Sequence, residues 1–311
     1  MSDLAELAEV IRSAPGLRAK RDLALVADVL PAVDGEDAAL VARDGEHLVL
    51  GGEAIAPGLV ASEPFTAGAA AVVTNVADVR AMGGRPLALV DTVVSPDRAH
   101  ARRVLEGLAW AARLLGVPVV GGHLTIGEAP ALSAFCTGVA KVPLRAGAAR
   151  PGDDLIAAFC LDGVYRGDAP FFSSLRNRSP ERLRDDGETL PELAEAGLCH
   201  AARDVSMPGV GGSLLQMLEL ARCGATLDLD PLPRPQGTPL ERWLVTFPSF
   251  GFVLAAAPAG SADACAAFTG RGLAAAVCGR FDAEHRLRIV SGGREATVWD
   301  LGREPLTALG A

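Results

Sequence analysis

Asn75 and Asp78 stand three residues apart in TNVADVRAMGGRPLALVDTVV, just ahead of a glycine pair and an apolar run. On a helix that spacing puts the amide and the carboxylate on one face, with Val72, Val76 and Val79 turned toward another. An amide that accepts or donates a hydrogen bond, beside a carboxylate that binds a cation, can hold metal and phosphate against a core helix. The same spacing also suits the solvated face of an amphipathic helix. Asp91 falls mid-strand on the Leu87/Leu89 face by alternation, so it needs either a hydrogen-bond partner or a metal. Glu36, Asp37 and Glu53 lie in or beside turns, where carboxylates are usually exposed. In Gly121-Gly122-His123-Leu124-Thr125, glycine permits close backbone approach, and His123 and Thr125 could meet a ligand; a structural histidine fits as well. The run around Asp204, Ser206, Gly209, Gly211 and Gly212 leads into a helix whose first amides suit an anion. The chain has no Walker A loop, no GxGxxG after a strand, no GxSxG elbow and no HExxH helix.

These residues need elements to position them. The opening Asp3–Ile11 has helical apolar spacing and stops near Pro15-Gly16. Strands are expected near 38–42 and 47–50, joined as a hairpin at Asp44-Gly45. A helix over Thr66–Met82 ends at Gly83-Gly84 with Pro86 just beyond, followed by a strand over Leu87–Val94. Ser95 and Pro96 read as N-cap and first position of a helix reaching Leu115. A short strand over Val117–Val120 leads into the glycine pair, and Leu132–Val139 is another strand. Residues 145–153 (RAGAARPGD) have boundary composition, dividing the chain into domains at 1–148 and 149–311. The second half opens with the buried strand DLIAAF. The charged stretch 176–195 reads as a helical surface excursion, and a helix is expected from about Ser213 to Arg222. Strands follow near 225–229, 250–256, 274–277 and 287–290, with a helix near 261–269.

The composition narrows the function classes. Half of the 311 residues are hydrophobic and 22% are charged, enough to bury a large core without staples. A formal charge of −9 argues against a nucleic-acid groove, because that affinity rests on Lys and Arg neutralising phosphates. A small anionic ligand would reach such a chain most easily through bridging divalent cations. The six cysteines form no CxxC pair and no zinc pattern, and read as reduced, buried thiols. No apolar run approaches the ~20 residues that span a bilayer, and the N-terminus lacks signal-peptide character. A cytoplasmic enzyme or binding protein, with no membrane and no nucleic-acid partner, is the expectation.

The fragments DGEDAALV, TNVADVRAMGGRP, VVGGHLT, PGDDLIAAF and DVSMPGVGGSLLQMLE, in this order, resemble the AIR synthase (PurM-like) superfamily. That group includes thiamine-monophosphate kinase, hydrogenase-maturation and selenophosphate-synthesis enzymes, and formylglycinamidine ribonucleotide synthase. The chain looks most similar to its uncharacterised AIR-synthase-related branch. The resemblance implies an α+β, two-domain fold, whose N-terminal domain pairs across a homodimer into a β-barrel and whose C-terminal domain is α+β. It implies ATP and Mg²⁺ as cofactors and a small-molecule substrate phosphorylated on oxygen. By position, Asp37, Glu53 and Asp78 would hold Mg²⁺. Asn75, Gly83, Gly121, Gly122, Thr125, Gly209, Gly211 and Gly212 would line the nucleotide, and Asp78, His123 and Asp204 would serve the chemistry. Phosphoryl transfer asks a protein mainly for positioning and charge neutralisation, which such a set supplies.

The chain departs from its relatives in several places. Glu36-Asp37 replaces paired aspartates, His123 stands where relatives carry the aspartate of GGDT, and Met207 interrupts DxSDG. An imidazole in place of a carboxylate shifts preference away from Mg²⁺. The GGEDYE-like segment of thiamine-monophosphate kinases is missing. Selenophosphate synthesis is disfavoured because no cysteine precedes Cys136, and hydrogenase maturation because the closing LTALGA has none. The leading expectation is a ligase or cyclase that activates an amide or carboxyl oxygen. The alternatives are a small-molecule kinase and a catalytically weakened nucleotide-binding partner.

Overall fold

In the computed structural model, which describes residues 3–30 and 32–309, the chain forms two compact units whose segments alternate along the sequence. Unit 1 comprises residues 1–37, 144–177 and 192–311, and unit 2 comprises 38–143 and 178–191. The chain passes between the units at 37/38, 143/144, 177/178 and 191/192.

Unit 2 begins with a hairpin, β1 (Ala39–Arg43) and β2 (Glu46–Ala54). Asp44 and Gly45 both have positive φ, as a two-residue turn between right-twisted strands requires. Then come α1 (Pro64–Ala81), β3 (Arg85–Ser95), α2 (Arg98–Leu115), β4 (Val119–Ile126) and β5 (Ala131–Ala140). The sheet order is β1-β2-β5-β3-β4, antiparallel except for the β3–β4 pair, whose crossover is α2. The N-cap of α2 is Asp97, which accepts from the His100 amide, rather than Ser95. Helices α1 and α2 pack closely because Gly68 and Gly107 leave backbone room. A Cβ at Gly68 would sit 2.1 Å from the Val104 carbonyl oxygen, and one at Gly107 would sit 2.0 Å from that of Phe65.

The glycine pair expected to end a strand lies inside β4, which runs on through His123 and Thr125. This strand pairs with β3 alone, and its outer edge is free of sheet partners among the described residues. Alternation assigns the sheet two faces. Val49, Gly51, Glu53, Ala134, Cys136, Leu89, Asp91 and Val93 face the α1 side; Leu50, Phe135, Val90, Gly121, His123 and Thr125 face the other. Leu87 is exposed although it precedes Leu89 by two, because the register shifts between Pro86 and Ala88.

The charged stretch 176–195 differs from its expectation as a surface excursion. It forms α3 (Pro180–Gly187) and a short following helix, Thr189–Glu195, with Arg178, Asp186, Thr189, Leu183 and Leu190 buried. Arg178 pairs with Asp186 at 3.3 Å, and Arg85 pairs with Glu188 at 2.6 Å. Arg80, from the last turn of α1, donates to the Leu183 carbonyl. Its guanidinium lies where a Cβ of Gly187 would be, so the glycine leaves room for it. Burial lowers the Arg80 pKa to about 10, against the opposing pull of Glu188 and Asp186. It therefore stays charged at neutral pH.

Unit 1 is built on a seven-stranded sheet. It contains β6 (Asp154–Phe159), β7 (Ala201–Asp204), β8 (Gly224–Asp228), β9 (Gly251–Ala256), β10 (Ala274–Asp282), β11 (Arg286–Ser291) and β12 (Arg294–Asp300), in the order β12-β11-β8-β10-β6-β9-β7. The N-terminal helix Leu4–Ser13, with a capping box at Asp3, buries Leu4, Leu7, Ala8 and Ile11 in its core. Helix α4 (Gly209–Ala221) contributes Val210, Leu214, Leu215, Met217 and Leu218 to the same core. Among the described residues, no helix is long and apolar enough to cross a membrane.

Candidate functional site

Helix α1 carries Asn75 and Asp78 into the interior, where they are 0% and 6% exposed, so the solvated-face reading falls. Most of the helix is apolar or small, and its burial draws these two polar residues in with it. The Asn75 Nδ2 donates to the Ala71 carbonyl at 2.8 Å, which fixes the amide orientation. Its Oδ1 is left buried with no hydrogen-bond partner among the described residues. A buried polar group of this kind calls for an explanation, such as a bound ligand or ion.

Opposite the pair lies Gly51 of β2. A Cβ there would lie 3.7 Å from Ala38 Cβ, 3.8 Å from Asp78 Cβ and 3.9 Å from Asn75 Oδ1, so glycine leaves a notch of about one methyl group. Glu53 is half-buried two residues along the same face. Cys136 pairs with Gly51 across the strands. Burial, and then the charge of Asp78, push its thiol up to about 12, only partly countered by Arg80. Burial is also the first cause holding Cys199, Cys223 and Cys278 near 12. At pH 8 roughly one in ten thousand of such thiols is ionised. Mass mapping after iodoacetamide treatment of the native chain is expected to find these four unmodified, with labelling only after denaturant is added.

Asp91 lies on the α1-side face, 7% exposed, with its carboxyl pKa raised by burial. A Cβ at Gly122 would meet Asp91 Oδ1 at 2.5 Å, so the glycine makes room for the carboxylate on the neighbouring strand. Gly121, His123 and Thr125 stand on the opposite face in an exposed strand, with the sheet between them and Asp78. Gly83 has φ +71° and terminates α1, its amide donating to the Arg80 carbonyl.

Unit 1 holds the remaining candidates. Asp37 Oδ1 lies 3.1 Å from Arg203 Nη2, and its Oδ2 accepts from the Asp204 backbone amide at 3.0 Å. Arg203 also donates to the Gly35 carbonyl at 3.2 Å and to Gln216 Oε1 at 3.4 Å. This arginine was not among the predicted residues. The signal was present in AARD: a guanidinium inside a buried strand must be paired. Glu36 is turned away to the backbone, accepting from the Ala146 and Gly147 amides at 2.6 and 3.2 Å. Burial raises its pKa, against the opposing effect of those amides.

Asp204 is 5% exposed at the end of β7. Helix α4 starts at Gly209, four residues earlier than expected, so Gly209, Gly211 and Gly212 all belong to its first turn. Each serves close packing within the unit. Added Cβ atoms would meet the Leu244 carbonyl at 2.2 Å, Ile11 at 2.9 Å and Pro208 at 2.4 Å respectively.

Comparison with known proteins agrees with this architecture. The model for the AIR synthase related protein N-terminal domain matches residues 35–140, and that for the C-terminal domain matches residues 168–292. An uncharacterised protein of Synechocystis sp., sll0787, is 37% identical over 275 residues, covering 88% of this chain and 85% of its own. The structure of Thermotoga maritima PurL complexed with ATP superposes with a TM-score of 0.73 at 23% identity over 87% of this chain, which spans 46% of that longer protein. AaThiL complexed with AMPPCP and TMP gives a TM-score of 0.66 at 17% identity, covering 88% of this chain and 95% of that one. At these identities the two superpositions speak to the fold. The two matched models, in chain order, and the Synechocystis relative establish that the chain belongs to the AIR synthase related family.

Proposed function

We propose that this protein is an ATP- and Mg²⁺-dependent enzyme that phosphorylates an amide or carboxyl oxygen of a small metabolite, activating it for a ligase or cyclase step. The observation that carries this reading is the buried Asn75–Asp78 pair, with its unpartnered amide oxygen beside a glycine notch. The donor set is oxygen only, which suits Mg²⁺. Asp78, Glu53 and Asp37 would hold the metal. Asp37 is one peptide bond from Ala38, which itself lines the notch, so its Cα stays about 3.8 Å from that of Ala38. When bound, the metal neutralises triphosphate charge. Asn75 would act through its free oxygen on the metal shell, the α1 side of the sheet excludes water, and Asp204, whose amide holds Asp37, would serve the acceptor, while His123 lies on the far face of the sheet and is left out of this site. ATP and AMPPCP in the names of the structural neighbours support nucleotide binding here.

A kinase outcome is the second reading, favoured by the near end-to-end correspondence with AaThiL. Tracing the γ-phosphate of labelled ATP across a panel of amide, carboxylate and phosphate-ester metabolites separates the two. Free phosphate with a condensed product supports the ligase, and label retained in the metabolite supports the kinase. MgATP binding with no turnover on any acceptor defeats both and leaves a nucleotide-binding partner.

The same reading includes a homodimer joined through the open face of the unit 2 sheet. Leu50, Phe135 and Val90 are 45%, 46% and 40% exposed there, with Val90 paired to Phe135 and Leu50 two positions along the next strand on the same face. Such a row is the kind of apolar patch that marks an interface. Phe135→Glu is expected to convert a dimer to monomers in light scattering coupled to size exclusion, while leaving the circular dichroism unchanged.

A further inference from the structure

Unit 1 contains a cavity of about 580 Å³ that shares no lining residue with the candidate nucleotide site. Four arginines line it, Arg12, Arg18, Arg21 and Arg303, together with Trp299 and the carboxylates Glu9, Asp300 and Glu304. In a chain of formal charge −9 this local excess of guanidinium is unusual. The ion pairs show which charges are already spent. Arg12 is matched by Glu9 at 2.9 Å, and Arg21 by Glu304 at 2.6 Å. Asp300 is taken at 2.9 Å by Arg286, which lies outside the lining, and only loosely met by Arg303 at 3.6 Å. The Arg18 side chain has no ion pair or hydrogen bond among the described residues. Two guanidinium groups therefore face one cavity without a dedicated carboxylate.

Part of the wall is firm. Trp299 is 8% exposed, donates its indole N–H to the Glu304 carbonyl at 2.8 Å, and has the Arg21 guanidinium 5.0 Å from its ring centre. Arg12 is tied to the Thr297 and Val298 carbonyls at 3.0 and 3.3 Å. A guanidinium grips an oxyanion through parallel N–H donors, and two surplus charges match a dianion. The volume falls in the range of metabolite pockets, roughly 300–1,000 Å³.

We propose that this cavity binds a small phosphate monoester, its dianion held by Arg18 and Arg303. Calorimetric titration of the full chain at low salt with glycerol 3-phosphate and, separately, inorganic phosphate tests it. One saturable site per chain is expected, tighter for the monoester. Arg18→Gln and Arg303→Gln should each weaken it by at least about tenfold, since charge-assisted hydrogen bonds are lost. Both side chains are exposed, and unchanged melting temperatures of the variants would show that folding is intact. Asp78→Asn should leave this binding as it is, and Arg18→Gln should leave MgATP binding as it is, so this site and the nucleotide reading stand or fall separately. Absence of saturable binding, indifference to both arginine substitutions, loss with Asp78→Asn, or preference for inorganic phosphate over the monoester would overturn the assignment.

Discussion

Asp78→Ala is expected to weaken MgATP binding by at least about 100-fold, measured by equilibrium dialysis with labelled ATP at fixed free Mg²⁺. Outer-shell changes alone cost metal sites about 10–100-fold, and losing a direct carboxylate should cost no less. In unit 2 the proposed set has Glu53 as its other carboxylate on the same face, so few anions remain to compensate. The magnesium dependence discriminates: Asp78→Ala should abolish the difference between binding with and without the ion. Asn75→Ala should weaken binding less, because an amide oxygen contributes no charge. Its buried position also gives a stability reading, since removing the unpartnered oxygen takes away a desolvated group and should leave the melting temperature near that of the wild type. Retained Mg²⁺-dependent affinity in Asp78→Ala would sink the site.

Arg203→Met is expected to destabilise the chain by about 3–5 kcal/mol in urea unfolding, because it strands a carboxylate that is only 3% exposed at the side chain. The Arg203→Met, Asp37→Asn double variant should recover a large part of that loss, as no charge is then left without its partner. Arg203→Lys should fall between, since an ammonium cannot meet Gly35, Gln216 and Asp37 at once as the fork does. If the single and double variants unfold alike, the ion pair is not what holds Asp37.

How much of this was legible beforehand depends on where the information sits. Helix α1 could be read because its stop chemistry is local: a left-handed glycine, a second glycine and a proline shortly after. The hairpin at Asp44-Gly45 was legible for the same reason. The extent of β4 was not. Its glycines look like a loop in isolation, and only register against β3 reveals that Gly122 clears space for Asp91. Residues 176–195 misled because charge suggests solvent, whereas Glu188 and Asp186 answer the buried Arg80, and Asp186 also pairs with Arg178. Arg203 was missed because its partners lie at positions 35, 37 and 216, separations that no spacing rule covers. The face of Asp91 could be read from alternation with Leu89, whereas the burial of Asn75 and Asp78 and the face of His123 could not.

The alternation of segments between the two units has a consequence during synthesis. The Arg80 guanidinium meets its acceptors only when residues 183–188 have been made, although its own helix is complete a hundred positions earlier. The first sheet therefore emerges with this cation still lacking the segment that covers and answers it, and nascent chains halted near residue 148 should be protease-sensitive while those halted well beyond 191 resist.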